Sequence, residues 1–219
     1  MNTVTERQNE VFSKSDAMLA EKLEQSSLAL EDYFFKNLDE ILSGFYSHIN
    51  ALCQKAKEQQ TDGKKAPIAY LNICHLRSSL LTGSHEFRIA LHDERLYLDT
   101  TETVAYWKPD FLFRHIDGDL DGIANKMAIF PKLTKFEVEE IKYVYTSLHF
   151  IHALHFTTAL CDDIVAQTDL AALELTDDFK VIFSGHMENG ITIYPVQITE
   201  EDSEIPANSE TLDDKGVLP

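Results

Sequence analysis

Apolar side chains in residues 134–165 fall almost all round a helical wheel: Phe136, Ile141, Val144, Tyr145, Leu148, Ile151, Leu154, Phe156, Leu160 and Ile164. No Gly or Pro interrupts them. Thr134 stands three residues before Glu137, the spacing at which a hydroxyl and a carboxylate each satisfy a free N–H of a first turn, and Pro131 bars an earlier start. The pattern predicts a helix that begins at Thr134 and, having no single polar face, is covered on more than one side as a central buried post.

Upstream, residues 1–26 are polar, with weak periodicity at Val11, Met18, Leu19 and Leu23, and read as a weakly helical N-terminal extension. From Leu28 the stripe sharpens. Phe34, Leu38, Ile41, Phe45, Ile49 and Leu52 recur at three and four, Phe35, Leu42 and Tyr46 broaden it, and the polar run 55–65 ends the helix. Gly44 inside it costs about 1 kcal/mol relative to Ala, which suggests a close helix crossing. A third, short helix is expected over residues 67–83, with Pro67 in its first turn, Ile68, Leu71, Leu76 and Leu80 on its buried face, Arg77 and Ser78 near its end, and Gly83 as its cap.

Residues 86–91 and 95–99 alternate with period two, and His92-Asp93-Glu94 between them reads as a hairpin turn. A second hairpin is expected over 179–196, its turn at Asn189-Gly190. Between the two lie Tyr106, Trp107, Phe111 and Phe113, with Pro109 starting a short helix and Trp107 filling core. The fold class that follows is α+β and predominantly helical: long helices around a central buried helix, with a small antiparallel sheet from two β-hairpins. Three regions result: the extension 1–26, a single domain over 27–198, and an acidic tail over 199–219 (Glu200, Glu201, Asp202, Glu204, Glu210, Asp213, Asp214) that composition predicts to be disordered.

Charge narrows the function classes. A formal net charge of −18 and a pI near 4.7 repel phosphate, which argues against nucleic acid and anionic membranes and favours a basic protein partner. No apolar run approaches the roughly 18 residues needed to cross a bilayer, and the first ten residues hold no hydrophobic signal region, so a cytoplasmic location is expected. Cys53, Cys74 and Cys161 are odd in number and far apart, in contexts that read as apolar and helical, and read as buried free thiols. Self-association is compatible with all of this.

Three clusters carry candidate chemistry. Asp117, Asp119 and Asp121 with Gly122 match the first half of an EF-hand calcium loop, Asn125 suits its ninth position, but Ala128 stands where a bidentate Glu is required, so weak Ca2+ binding at most is expected. His149, His152 and His155 follow one another at i, i+3, i+6, with Asp162 beyond. His149 shares the line of Lys135, Lys142 and Thr146 and reads as solvated, while His152, His155 and Asp162 are the candidate ligands of a transition metal. One helix cannot wrap all three imidazoles round a single ion, so a ligand from elsewhere would be needed. Cys74 beside His75 is a weak nucleophile candidate without an orienting third group. No Walker loop, G-x-G-x-x-G, G-x-S-x-G, C-x-x-C or H-E-x-x-H is present, and eight glycines leave little for a phosphate cradle. The reading is a non-enzymatic acidic adaptor or immunity-like protein that needs no cofactor. The alternative is a metal-dependent enzyme built on the His/Asp cluster.

Overall fold

The computed structural model describes residues 4–127 and 134–195. The acidic tail 199–219, Ala128 and Pro131 lie outside the described residues. The fold is α+β and predominantly helical, with one five-stranded mixed sheet.

The chain opens with two long helices, α1 (Val4–Lys36) and α2 (Leu38–Thr61). Helix α1 is continuous through residue 26, where the sequence suggests a boundary, and buries Leu19 and Ser26. The helix expected from Leu28 instead breaks at Asn37, whose side-chain amide donates to the Tyr33 carbonyl at 2.8 Å while its own carbonyl accepts from Ile41. A side chain that bonds its own backbone competes with the helical ladder, and the break lets the two helices take different partners. Helix α2 lays Phe45, Ile49, Leu52, Cys53 and Ala56 on the sheet, one face at helical spacing. Gly44 marks no crossing: a methyl group there would meet nothing within 4 Å.

Residues 67–83 are not one helix. They form a strand, β1 (Ile68–His75), and then a short helix, α3 (Arg77–Thr82), which Gly83 ends with a φ of +69°. Arg77 therefore begins α3 rather than ending a longer helix. Strand β1 is buried on both faces, and a continuous apolar run of that kind has no period with which to announce itself as a strand. Next come β2 (Phe87–His92), β3 (Val104–Trp107), and two helices, α4 (Asp110–Phe113) and α5 (Ile116–Met127). Pro109 caps α4 as expected. Helix α6 (Lys135–Ala159) follows, then α7 (Cys161–Gln167), β4 (Leu175–Gly185) and β5 (Ile191–Tyr194).

The strand order is β3-β2-β1-β4-β5. Strands β1 and β4 pair in parallel with Leu71 opposite Val181, and the other neighbours are antiparallel. The sheet is thus mixed rather than a pair of antiparallel hairpins. The second expected hairpin forms as β4–β5, but its reversal is the turn Gly185 to Glu188, with Met187 at a φ of +60°, and not Asn189-Gly190. The first does not form: β2 pairs with β1 and β3, and Leu96–Leu98 is a single 3-10 turn. Its cause is Lys65. That side chain is fully buried and donates to the carbonyls of Leu91 and Thr101 at 2.8 and 2.7 Å and to Asp99, which also accepts from the N–H groups of Asp93 and Thr101. Residues 93–101 wrap round the ammonium instead of running as a strand.

Helix α6 starts with the expected reciprocal cap between Thr134 and Glu137. It is not a post covered all round. Ile141, Tyr145, His149, Ala153 and Phe156 face inward, while Phe136 is 71% and Ile151 45% exposed. Its inner face meets α1, α3, α4 and α5. Helix packing and sheet meet in one aromatic core: Phe87 lies 5.7 Å from both Trp107 and Phe150 and 6.1 Å from Phe183 between ring centroids, and Trp107 stacks 5.7 Å from Phe156.

Candidate binding groove between α1 and α6

Where α1 passes α6 the interior is left unfilled. A groove of about 600 Å³ lies between Leu30, Phe34, Leu38 and Leu42 on one wall and His152, His155, Phe156, Ala159, Leu160 and Asp163 on the other, with Phe111 and Leu112 beside them. Leu30, Phe34, Leu38 and Leu42 recur at every fourth position across the break at Asn37, and the lining residues of 152–163 at three and four across the end of α6, so each wall is one helical face continued from one helix into the next. The walls run in the same direction. Ser27 meets His152 at 3.2 Å, Phe34 meets Phe156 at 5.6 Å between centroids, and the charge of Asp163 reaches Tyr46 and raises its hydroxyl pKa, second to burial. Apolar surface continues outside the groove, where Leu28 is 63% and Phe35 67% exposed.

Behind the groove sits a buried polar network. Asp119 of α5 accepts from Tyr145 at 2.7 Å, from Ser26, and from Lys22 at 3.3 Å. Burial raises its pKa, but the hydrogen bonds from Ser26, Tyr145 and Lys22 outweigh that, and the carboxyl sits below its ordinary value. Burial and the hydrogen bond to Asp119 push the Tyr145 hydroxyl upward. One turn on, His149 Nδ1 donates to the Tyr145 carbonyl at 3.2 Å, and burial holds this imidazole neutral, down to about 4. His149 is therefore a core histidine and not a solvated one. A helix apolar on every side gave no indication of which line faces water.

Helix geometry also decides the acidic triplet. Asp117, Asp119 and Asp121 stand on the first turns of α5, where two-residue steps rotate each side chain about 200° from the last. Asp119 points inward and Asp117 and Asp121 are exposed, so the three do not converge as a calcium loop would require. His152 and His155 do share the groove wall, and Asp163 lines it in place of Asp162, which is exposed. Burial, and after it the charge of His155, lowers the His152 pKa. Among the described residues no three His, Cys, Asp or Glu side chains are gathered to hold a metal ion.

All three cysteines are buried and free. Cys74 lies on β1 rather than a helix, and burial raises its pKa against the opposing pull of Arg88, which removes it as an accessible nucleophile beside His75. Trp107 is buried core. The groove-wall residues Leu30, Glu31 and Asp163 went unmarked in the sequence. Their one signal was the breadth of the stripe at Phe34, Phe35 and Leu42, wider than a single buried face needs.

No helix among the described residues is long and apolar enough to cross a membrane. Comparison with models of known families, with curated proteins and with solved structures gave no match.

Proposed function

We propose that the protein is a non-catalytic binding protein and that the α1–α6 groove is where it holds a segment of another protein. The observation that carries this reading is the groove itself: about 600 Å³ of trough with walls of Leu and Phe, left open by the packing of the described residues, with Leu28 and Phe35 of α1 also exposed. An apolar surface kept open at a cost in burial is characteristic of interaction sites. The nearest thing to a catalytic pair supports binding as well. Ser27 faces His152, but its hydroxyl proton is already given to the Leu23 carbonyl at 2.6 Å, so its oxygen accepts from the imidazole and is not activated by it. Ser27 also lies inside a continuous helix, where the backbone N–H groups that would stabilise an oxyanion are spent on the ladder. The pair fastens α1 to α6.

Titration with Nile red, a neutral apolar dye, tests the site. Saturable binding at one site is expected, lost in Ala159→Trp, which fills the trough, with heat-unfolding midpoint unchanged. Binding that survives Ala159→Trp would remove the groove as the site. Hydrolysis of p-nitrophenyl butyrate above background and lost in Ser27→Ala would overturn the non-catalytic half of the reading.

A further inference from the structure

We infer that the groove's occupant is a basic amphipathic helix of a partner protein. The inference rests on the groove being the binding site and names what enters it.

Length and shape point to a helix. The wall formed by residues 152–163 is about 16 Å long and that formed by residues 27–42 about 22 Å, taking about 1.5 Å of rise per residue. Two parallel helical walls of that length make a trough for three to four turns of a third helix, which would enter with its apolar positions at i, i+3 or i+4, and i+7 against Phe34, Phe156 and Leu160. The exposed apolar surface at Phe35 widens the contact beyond what a small ligand would cover.

Charge supplies the sign. Glu31 lines one wall and Asp163 the other, and no Lys or Arg stands among the described lining residues. Helix α6 ends at Ala159 beside the groove, but α7 begins at Cys161 and sets its positive end against that terminus, so the two carboxylates supply the charge. The chain as a whole carries −18. A cation on the polar edge of the entering helix therefore finds Glu31 and Asp163 together, whereas an acidic helix of the same apolar pattern meets only repulsion.

The test uses the full chain and three fluorescein-labelled synthetic helices of about 18 residues, a length that spans the longer wall. One carries a Leu stripe and Lys elsewhere, one the same stripe with Glu for Lys, and one the Lys composition with the stripe scrambled. By anisotropy at low salt the first is expected to bind saturably and at least about tenfold tighter than either other peptide. Added salt should weaken it, and it should compete with Nile red. The double variant Glu31→Gln/Asp163→Asn should lose about tenfold affinity for the Lys peptide while the heat-unfolding midpoint is unchanged. Equal binding of the Lys and scrambled peptides would reduce the effect to bulk charge and overturn the inference. Equal binding of Lys and Glu peptides, or indifference to the double variant, would overturn it too. So would a dimer in sedimentation whose formation closes the groove to Nile red, since a second copy would then be the occupant. In the peptide outcomes Nile red sensitivity to Ala159→Trp still reports separately on whether the groove is a site at all, and in the dimer outcome loss of the dimer in Ala159→Trp does so.

Discussion

Two parts of this molecule treat buried surface in opposite ways. In the middle of the sheet the packing is closed: Phe87, Ile89, Leu91, Leu71 and Ile73 have no exposure, and even an ammonium, Lys65, is enclosed by two carbonyls and a carboxylate. Along α1 and the end of α6, Leu and Phe side chains face an open trough. The first region has completed its burial and carries stability. The second stops short and keeps surface for something else. If that division is correct, substitutions should separate cleanly into those that unfold the chain and those that spare the fold and abolish binding.

The largest effects belong to the closed region. Lys65→Met leaves Asp99 buried without its charge partner and is expected to cost about 3 to 5 kcal/mol by urea unfolding. Lys65→Met combined with Asp99→Leu should recover part of that loss, because no unpaired charge stays buried, and only part, because the N–H groups of Asp93 and Thr101 lose their acceptor. Phe87→Ala should cost a similar 3 to 5 kcal/mol, roughly the cost of a cavity at a hub touched by four aromatic rings. Either substitution with only a surface-like effect would break the contrast.

Acid probes the same closed packing. Burial holds His92 and His149 neutral, each down to about 4, whereas the unfolded chain takes up these protons near 6.5. Between those values the unfolded state binds more protons, so stability is complete above about pH 6.5 and falls as pH drops towards 4, by a few kcal/mol in all. Unfolding midpoints measured at pH 7.5, 6, 5 and 4.5 should trace that decline. A flat profile would mean that neither histidine is buried in solution.

Asp119→Asn ranks next. It keeps the shape but weakens the bonds from Ser26, Tyr145 and Lys22, and about 1 to 3 kcal/mol is expected, since one of the donors is left poorly satisfied. Smallest of all should be Phe34→Gln in the groove. Its side chain is only partly buried, so less than about 1 kcal/mol of stability is at stake, while the affinity for a bound helix should fall sharply.

How much of this was readable in the sequence follows the same division. Local signals at helix ends were sound: the cap at Thr134, Pro109 at α4 and Gly83 after α3 all depend on neighbouring residues, whereas Asn189-Gly190 misplaced the turn between β4 and β5. Strand β1 reads as helix in the sequence because its partners, β2 on one side and β4 more than a hundred residues away on the other, bury both faces and erase the period. The fold of residues 93–101 depends on Lys65, which nothing in their own spacing announces. The candidate site was half visible. His152 and His155 do stand in the groove, but the opposing wall comes from α1 and the start of α2, and juxtaposition of that kind has no signature in one dimension. Asp119 looked like a calcium ligand through its spacing and proved to be the acceptor that ties α5 to α1 and α6.

Hydrogen exchange read by mass spectrometry, with and without the Leu-stripe Lys peptide, bears most directly on the central claim. Added protection confined to residues 27–42 and 152–163, with the sheet unchanged, is the expected result. Protection centred instead on the sheet, or none at saturating peptide, would contradict it.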